Sequence, residues 1–314
     1  MKYLITGSVI IDNLKFLDGR FVERIKGGCA IYSYAGIKLF EDDCGCVAGV
    51  GEDFDEYYSE WLDSNGMRKD GFLVKDPHTT QSTLTYNEDG TYYCKSIYFD
   101  DDSNTVIHNP AINLGYSDIE PFLPSLKGLY LYSDINGRHG QAYLDREKYG
   151  YKTMFECPGD MTSSYMPVFM ETISHSDYYS FNRPESFRLF ETDSEEKVIA
   201  NIREIGKPCF YRVGPKGAYM LTADEGYFVP SVVLPTRDGD VDPTGCGNSS
   251  TAAAMWALVE GKDPLTVCIT GNITAGFNAI QYGPHPDLTG RSRERAYQLV
   301  SELYEKYKPM SRIY

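Results

Sequence analysis

Short apolar segments alternate with segments of helical spacing along most of the chain, and this alternation limits the fold more than any other feature. Strand-like runs follow residue 125 at "GLYLYSDI", "KTMFECPG", "SDYYSFN" and "PCFYRVG". Segments with helical spacing lie near 140–149, 162–174 and 194–205. Because strands joined through helices usually run in the same direction, this order predicts an α/β fold with a mostly parallel sheet covered by helices.

The N-terminal part of the chain has the same rhythm with two insertions. The run "YLITGSVIID" predicts a buried strand with Asp12 at its C-terminal end, and "CGCVAGVG" predicts another strand. The segments "GGCAIYSYAGIKLF" and "DEYYSEWLDSNGM" predict the helices that flank the second strand. Two predicted hairpins, with turns at Asp18–Gly19 and Asp89–Gly90, interrupt this order. We expect the two hairpins to pair into one small sheet.

The C-terminal part predicts helices. "STAAAMWALVEGKDP" and "LTVCITGNITAGFNAIQYG" predict two consecutive helices, and "RSRERAYQLVSELYEKY" predicts a terminal one. One three-layer α/β unit with an insertion can hold all 314 residues. We therefore expect a single domain over 1–314, with the additional strands inserted at about 13–26 and 79–107.

Charge and composition favour a small-molecule ligand. The net charge is −15, which repels nucleic acid and anionic membrane surfaces, and the sequence has no basic patch to offset it. No run approaches the roughly 18 apolar residues of a membrane span, and the N-terminus does not resemble a signal peptide. The eight cysteines form no CxxC pair. We expect reduced thiols in a cytoplasmic protein without membrane or nucleic-acid partners.

The segment "DGDVDPTGCGNSS", residues 238–250, has the features of an anion-binding loop. Gly245 and Gly247 flank Cys246 directly before a predicted helix, so backbone N–H groups at the helix N-terminus can converge on a phosphate. Small residues before a helix are also common caps, and the loop by itself leaves both interpretations open. The sequence has no GxxxxGK[ST] motif, so a P-loop is not the source of the pattern.

Five motifs resemble those of the ribokinase-like carbohydrate kinases, the PfkB family. "DPTGCGN" resembles the signature D-T-x-G-A-G-D, and "GGCAIYSYAG" resembles the N-terminal G-G-x-A-x-N-x-A. "AGVGEDF", "NRPE" and "RVGPKGAYM" are similar to G-x-V-G-x-D-x-F, N-x-x-E and T-x-G-x-x-G. The resemblance covers essentially the whole chain. It implies a three-layer αβα sandwich with a small β-sheet lid, often a dimer interface, and a kinase that uses ATP and Mg²⁺ on a sugar or nucleoside.

The resemblance also implies roles for residues on the acceptor side. Asp12 matches a sugar-hydroxyl ligand, and Gly27 and Gly28 would let the substrate approach the backbone. The alternatives are a strand-end acid bonded to a turn and a helix-entry turn. The loop 245–248 would neutralise the charge of the migrating phosphoryl group. Asp242 matches the site of a monovalent cation such as K⁺ in some relatives, and the alternative is an ordinary loop acid.

On the nucleotide side, Asn182 and Glu185 match the motif that organises Mg²⁺ and phosphates, with Glu185 reaching the metal through water. An isolated NxxE sequence is more often a surface turn. Gly214 and Gly217 match the strand-turn-strand beneath the nucleotide, and Asn272 falls on the helix that lines the adenine pocket in such enzymes.

Three positions depart from the family pattern. Asn248 replaces the aspartate that accepts the proton of the substrate hydroxyl, Tyr32 stands at an asparagine position, and Arg212 stands at the usual threonine. An amide cannot take up a proton near neutral pH, and general base catalysis is typically worth about 10²–10⁴ in rate. Positioning and charge stabilisation supply most of the acceleration in phosphoryl transfer. Slow activity is therefore physically reasonable, with Asn248 orienting the hydroxyl and Asp12 or water taking its proton.

Three explanations of Asn248 stay open: a slow or rerouted kinase, a non-catalytic protein on the same scaffold, and an introduced inactivating substitution. The neighbouring "SSTAAA" favours natural divergence. We expect a kinase first and a sugar- or nucleotide-binding sensor or subunit second, in which Tyr32 stacks on a sugar ring or nucleobase. A dinucleotide-binding oxidoreductase is a weaker third hypothesis, because no GxGxxG follows the first strand.

Overall fold

A nine-stranded, mostly parallel sheet forms the centre of the protein. The computed structural model describes residues 1–88, 92–96, 99–100, 105–106, 112–237 and 241–314. With all strands numbered in chain order, the central ones are β1 (Tyr3–Thr6), β4 (Cys44–Gly51), β5 (Phe72–Asp76), β10 (Gly128–Leu131), β11 (Lys152–Glu156), β12 (Tyr178–Asn182), β13 (Cys209–Arg212), β14 (Gly217–Leu221) and β15 (Gly226–Pro230). Their order is β15-β14-β13-β12-β11-β10-β1-β4-β5, and only β14 and β15 run antiparallel to their neighbours.

Helices cover both faces of this sheet. In the part of the chain that the structure describes they are α1 (Cys29–Lys38), α2 (Phe54–Ser64), α3 (Tyr116–Ile119), α4 (Gln141–Tyr149), α5 (Met166–Ser174), α6 (Arg183–Leu189), α7 (Glu195–Ile205), α8 (Cys246–Val259), α9 (Pro264–Ala279) and α10 (Gly290–Tyr307). Side chains of α1, α2, α8, α9 and α10 share one hydrophobic core, and those of α3 to α7 share the other. The expected three-layer α/β fold is confirmed.

Alternating side chains connect the sheet to both layers. In β1, Tyr3 and Ile5 face the first core, whereas Leu4 between them faces the second. A strand buried on both faces reads as a continuous apolar run, as "YLIT" does. No helix among the described residues has the length and apolar character that a membrane crossing needs.

A second, four-stranded sheet has the order β3-β2-β6-β7, with strands β2 (Ile10–Lys15), β3 (Phe21–Gly27), β6 (Gln81–Tyr86) and β7 (Tyr92–Ser96). The short strands β8 (Phe99–Asp100) and β9 (Thr105–Val106) form a separate pair. The two expected hairpins pair through β2 and β6, which run parallel. The first turns near Gly19, where φ is 87°. The expected turn at Asp89–Gly90 lies outside the described residues.

The prediction of one strand over "YLITGSVIID" is wrong. The chain leaves the central sheet after Thr6, passes Gly7 at φ 155°, and re-enters strand structure at Ile10 in the small sheet. Asp12 therefore lies inside a strand of the small sheet and not at the end of a central strand. The register of β2 against β3 shifts between Asp12 and Leu14, and such a bulge re-aims the side chains beside it.

Helices α1 and α8 pack closely because Gly36 has no side chain. A Cβ at Gly36 would collide with the carbonyl oxygen of Ser249. Changing Gly36 to alanine should therefore lower the free energy of unfolding. Overpacking costs about 1–3 kcal/mol and outweighs the gain of up to about 1 kcal/mol in helix propensity. Denaturant titration measures this change.

The matched control is Gly115→Ala. A Cβ at Gly115 would meet no atom nearer than the carbonyl oxygen of Arg138 at 4.0 Å, and its φ of −115° suits any residue. This variant should stay within about 0.5 kcal/mol of the wild type. Equal stability of the Gly36 and Gly115 variants would contradict the close packing of α1 on α8.

Candidate functional site

The loop before α8 presents unengaged backbone N–H groups. Gly245 is the N-cap residue of α8, with φ 76°. The N–H of Cys246 donates to the carbonyl of Pro243 at 3.1 Å, so this amide is engaged within the turn. Among the described residues, none accepts a hydrogen bond from the N–H of Gly247 or Asn248. These two amides are the donors that an anion at the helix N-terminus would meet.

The three departures from the family pattern come together around this loop. The ring of Tyr32 lies against Gly245, because a Cβ there would collide with the ring. The guanidinium of Arg212 lies against Gly247 in the same way. Asn248 is the next residue of the loop. The sequence identified the three positions separately and gave no signal that they are neighbours.

Arg212 is held by a buried cluster at the ends of adjacent strands. Its Nη2 lies 3.0 Å from Oε1 of Glu156 and 3.8 Å from Oε2 of Glu185. The contact with Glu156 is an ion pair without the alignment of a hydrogen bond. Nε donates to the hydroxyl of Ser180 at 3.1 Å. Burial by itself would lower the pKa of Arg212, but the two glutamates outweigh it and raise the pKa, so the side chain stays charged.

Asn248 borders the same cluster through Tyr130. Its Nδ2 lies 3.5 Å from the hydroxyl of Tyr130, a long contact, and that hydroxyl donates to the carboxylate of Glu156. Burial raises the pKa of Tyr130 well above its usual range, and the Glu156 charge adds to the effect. Tyr130 is therefore a neutral donor. Position 248 thus connects through one hydroxyl to a carboxylate that is 3% exposed.

Asn182 and Glu185 form a capping box at the start of α6. The Asn182 side chain accepts from the Glu185 N–H at 3.0 Å, and Glu185 accepts from the Asn182 N–H at 2.7 Å and from Nδ2 at 2.6 Å. Burial is the main reason that the pKa of Glu185 is raised. The NxxE sequence is thus a helix start that lies beside Arg212.

The residues around Arg212 fit a magnesium ion held through water. Mg²⁺ takes oxygen ligands and usually keeps several waters. Glu156 and Glu185 share one guanidinium, so two buried carboxylates face a single positive charge. Direct ligation has less support, since the described residues contain no group of three or more His, Cys, Asp or Glu arranged to hold a metal.

Asp12 is a buried carboxylate without a donor. It is 5% exposed, and no described residue hydrogen-bonds to its oxygens. It lies against Gly27, where a Cβ would collide with Oδ2, and a Cβ at Gly28 would collide with the carbonyl of Ser8. The protein's own packing therefore requires glycine at both positions. Burial raises the pKa of Asp12 to about 7, and the charge of Asp242 adds to it.

Asp242 connects the loop to the small sheet. Its carboxylate accepts from the hydroxyl of Tyr86 at 2.9 Å and from the N–H of Thr244 at 2.9 Å. Burial raises its pKa. Asp242 and Asp12 both raise the pKa of Tyr32, after burial itself. Tyr32 lies against Gly245 and within electrostatic reach of Asp12 and Asp242, and the small sheet meets the loop here through Tyr86.

A cleft of about 250 Å³ opens at the C-terminal edge of the central sheet. β1 lies between β10 and β4, so the cleft is at the point where the strand order reverses, which is where α/β sheets commonly bind ligands. None of the predicted site residues lines it. Ser8 in its wall connects the cleft to the predicted acceptor residues, because the Ser8 carbonyl lies against Gly28. Other polar residues of the wall are Thr6, Thr80, Asn113, Tyr132, Ser133, Arg138 and His139.

The remaining predicted residues are those expected to contact the nucleotide. Gly214 and Gly217 bound a short 3-10 turn between β13 and β14, with φ of 64° and 130°. The Asn272 side chain is buried in α9 and donates to the carbonyls of Cys268 at 3.0 Å and Val229 at 3.3 Å. Its amide is thus engaged within the core, and its role toward a nucleotide stays a prediction.

Sequence reasoning missed Glu156 and Tyr130. Both belong to strands whose C-terminal ends share an edge with β12 and β13. A signal for Glu156 existed, since it is an acid at the end of the apolar run "KTMFE". Carboxyl ends of parallel strands meet at one edge, so an acid there is a site candidate. Tyr130 had no such signal.

Replacing Asp12 by asparagine should raise the free energy of unfolding more at high pH than at low pH. With a native pKa of about 7 against 3.8 unfolded, the native state keeps the proton between these values and loses stability as pH rises through that window. Asparagine imitates the neutral form. The free energy of unfolding of Asp12→Asn, relative to that of the wild type, should increase by about 2 kcal/mol between about pH 5.5 and about pH 8.

Urea titrations at the two pH values measure this difference. The control is Asp224→Asn, which changes an exposed acid. Its difference from the wild type should be the same at both pH values. A pH-independent effect of Asp12→Asn would contradict the raised pKa.

Comparison with known proteins agrees with the fold and with the motifs. A nucleoside kinase from Methanocaldococcus jannaschii is 24% identical over 262 residues, which cover 80% of this chain and 78% of the relative. The structure of adenosine kinase from Sinorhizobium meliloti aligns with a TM-score of 0.75 at 19% identity, covering 95% of this chain and 98% of the other. An E. coli protein assigned as a ribokinase II, in complex with ATP and Mg²⁺, aligns with a TM-score of 0.73 at 17% identity, covering 96% and 99%.

The family comparison covers most of the chain. Residues 12–289 match the pfkB family carbohydrate kinases. This range includes all the predicted site residues, from Asp12 to Asn272. The expected carbohydrate or nucleoside kinase class is confirmed, and the oxidoreductase hypothesis is left without support. The chain belongs to the pfkB family of carbohydrate kinases.

Proposed function

We propose that the protein transfers the γ-phosphoryl group of ATP to a hydroxymethyl group of a sugar or nucleoside, and does so slowly. One observation carries the proposal: Asp12, a buried carboxylate with no donor among the described residues, and the amides of Gly247 and Asn248, which no described residue engages, both lie close to Tyr32. Asp12 would accept a hydrogen bond from an acceptor hydroxyl. The two amides would meet the charge of the phosphoryl group.

The acceptor would enter from the cleft at the strand-order reversal. Tyr132 in the cleft wall is 37% exposed and offers an aromatic face for a sugar ring or a base. The small sheet would close over the acceptor, since Tyr86 already contacts Asp242 beside the loop. The nucleoside kinase and adenosine kinase relatives support a nucleoside as the first acceptor to test.

The nucleotide would lie beyond Gly247, with its phosphates toward α8. ATP and Mg²⁺ appear with a relative of the same fold, and the Glu156 and Glu185 cluster would hold the ion through water. When bound, Mg²⁺ supplies charge neutralisation between the phosphates. Asn248 would orient the acceptor hydroxyl, and its proton would leave to water or Asp12. Binding of K⁺ at Asp242 is a further proposal. The Asp242 carboxylate already accepts hydrogen bonds from the hydroxyl of Tyr86 and the N–H of Thr244.

A second candidate function is ligand binding without turnover. Its support is that Tyr32 and Arg212 lie against the two glycines of the loop, where a phosphate would approach. Such a sensor or complex subunit would bind a sugar or nucleotide, with closure of the small sheet as its signal. Calorimetric binding without phosphorylation would favour it, and phosphorylation by the wild type would remove it.

We also propose a cytoplasmic homodimer formed through the small sheet. Leu17, Phe21 and Tyr93 are apolar side chains of this sheet and its turn, and they are 65%, 53% and 59% exposed. Light scattering after chromatography measures the mass. A Phe21→Glu variant should give a monomer, whereas Leu144→Glu on α4, 51% exposed on another face, should keep the wild-type mass. A monomeric wild type would exclude the proposal.

Restoring the acid at position 248 should accelerate the reaction and change its pH dependence. General bases are worth about 10²–10⁴ in rate, and we expect Asn248→Asp to raise kcat by about 10²-fold. If water takes the proton, the wild-type kcat should vary little with pH on the acid side; if Asp12 takes it, kcat should fall as pH drops through about 7. The variant should lose activity as pH falls through the pKa of the new carboxyl.

Both statements are tested by offering a panel of sugars and nucleosides with Mg-ATP and measuring the consumption of nucleotide. The control is Asn201→Asp, an equal change of charge on α7, away from the loop. No transfer by the wild type or by Asn248→Asp to any acceptor would refute the kinase proposal. Equal rates of the two proteins would show that another group takes the proton.

A further inference from the structure

We propose that Arg212 is a catalytic residue of this kinase, an internal arginine that supplies the positive charge at the transferring phosphoryl group. The inference rests on the proposed function and explains how the reaction proceeds without a base at position 248. Arg212 stands where the family pattern has a threonine, and a threonine would not supply this charge.

The first argument is position. Arg212 ends β13, and in the sheet it pairs with Asn182 at the end of β12. Its Nη1 is the atom that a Cβ on Gly247 would meet, so this nitrogen lies beside the loop that carries the unengaged amides. Nη1 has no hydrogen-bond partner among the described residues. One guanidinium nitrogen is thus open on the side where the phosphoryl group would pass.

The second argument is orientation. Nε donates to the hydroxyl of Ser180, and Nη2 forms ion pairs with Glu156 and Glu185 without the alignment of a hydrogen bond. Ser180 is itself bonded to the carbonyl of Phe210 at 2.7 Å. One hydrogen bond and two ion pairs restrain this planar guanidinium and limit the freedom of its third nitrogen. Preorganised charge of this kind lowers a barrier without reorganisation during the reaction.

The third argument is magnitude. Loss of a general base typically costs about 10²–10⁴ in rate. An arginine acting on the transferring phosphoryl group is worth about 10³–10⁵. The two ranges overlap, so Arg212 can offset part of the loss at position 248, which fits slow turnover. The backbone amides of Gly247 and Asn248 would also stabilise the negative charge of the phosphoryl group.

The reaction balances without a protein base. A bond forms between the acceptor oxygen and the γ-phosphorus as the bond from the γ-phosphorus to the β,γ-bridging oxygen breaks, and ADP leaves with that electron pair. The acceptor proton becomes strongly acidic as its oxygen binds phosphorus, and it departs to water. Arg212 forms no covalent bond. It stabilises the charge on the equatorial oxygens of the phosphoryl group.

The test compares Arg212→Lys with Arg146→Lys. Lysine keeps a charge for Glu156 and Glu185 but lacks the planar fork that reaches Gly247, so the buried acids keep a counter-ion. Arg146 is also an ion-paired arginine, 2.9 Å from Asp177 and 21% exposed. Arg146 lies near the N-terminal ends of the strands, because its partner Asp177 precedes β12, whereas Arg212 is at the C-terminal end of β13. Thermal unfolding verifies that both variants are folded.

The readouts are kcat and KM for ATP and for the best acceptor of the panel. Arg212→Lys should lower kcat by about 10²-fold or more with KM for ATP within about threefold, and Arg146→Lys should match the wild type. Arg212→Ala should recover part of its lost kcat when guanidinium is added at concentrations below denaturation. The rescue separates a chemical role from a structural one.

Two results on an active wild type would overturn the inference while leaving the proposed function intact. One is an unchanged kcat in Arg212→Lys together with no loss in Arg212→Ala. The other is a change confined to KM for ATP, which would make Arg212 a ground-state nucleotide contact. A wild type that phosphorylates no acceptor would refute the proposed function, and this inference would fall with it.

Discussion

The site depends on the parallel register of β10 to β13. Because these strands run in the same direction, their last residues emerge along one edge, and register pairs Asn182 with Arg212 and Glu156 with Ser180. Charged groups at this edge are buried by helices on both faces, so each needs a partner. Arg212 is that partner for two glutamates. The α8 N-terminus then brings the loop amides against the same guanidinium.

The three departures from the family pattern are physically coupled. Tyr32 and Arg212 each lie against a glycine of the loop, and Asn248 is the residue that follows. A carboxylate at 248 would join a cluster that already holds two buried acids and one cation. An amide there adds no further negative charge to desolvate.

The small sheet controls the other half of the site. Sequence predicted its two hairpins because the turn residues and apolar runs are local signals. It did not predict that the chain leaves the central sheet inside "YLITGSVIID", because both sheets accept the apolar residues on either side of Thr6-Gly7-Ser8. This short polar interruption, with Gly7 at φ 155°, marks the boundary. The consequence is functional, since Asp12 belongs to the sheet that contacts Asp242 through Tyr86 and not to the core of the domain.

Sequence by itself determined the α/β class, most of the element order and the family, and it predicted an anion-binding loop, because periodicity and glycine-rich turns act over a few residues. Tertiary structure decided which groups meet. Glu156, Tyr130 and Asn248 are far apart along the chain, and only strand pairing and helix packing make them neighbours. The capping role of Asn182 and Glu185 could be read locally, whereas their position beside Arg212 could not. Local patterns specify local conformation, but burial and charge pairing depend on contacts that form when the sheet closes.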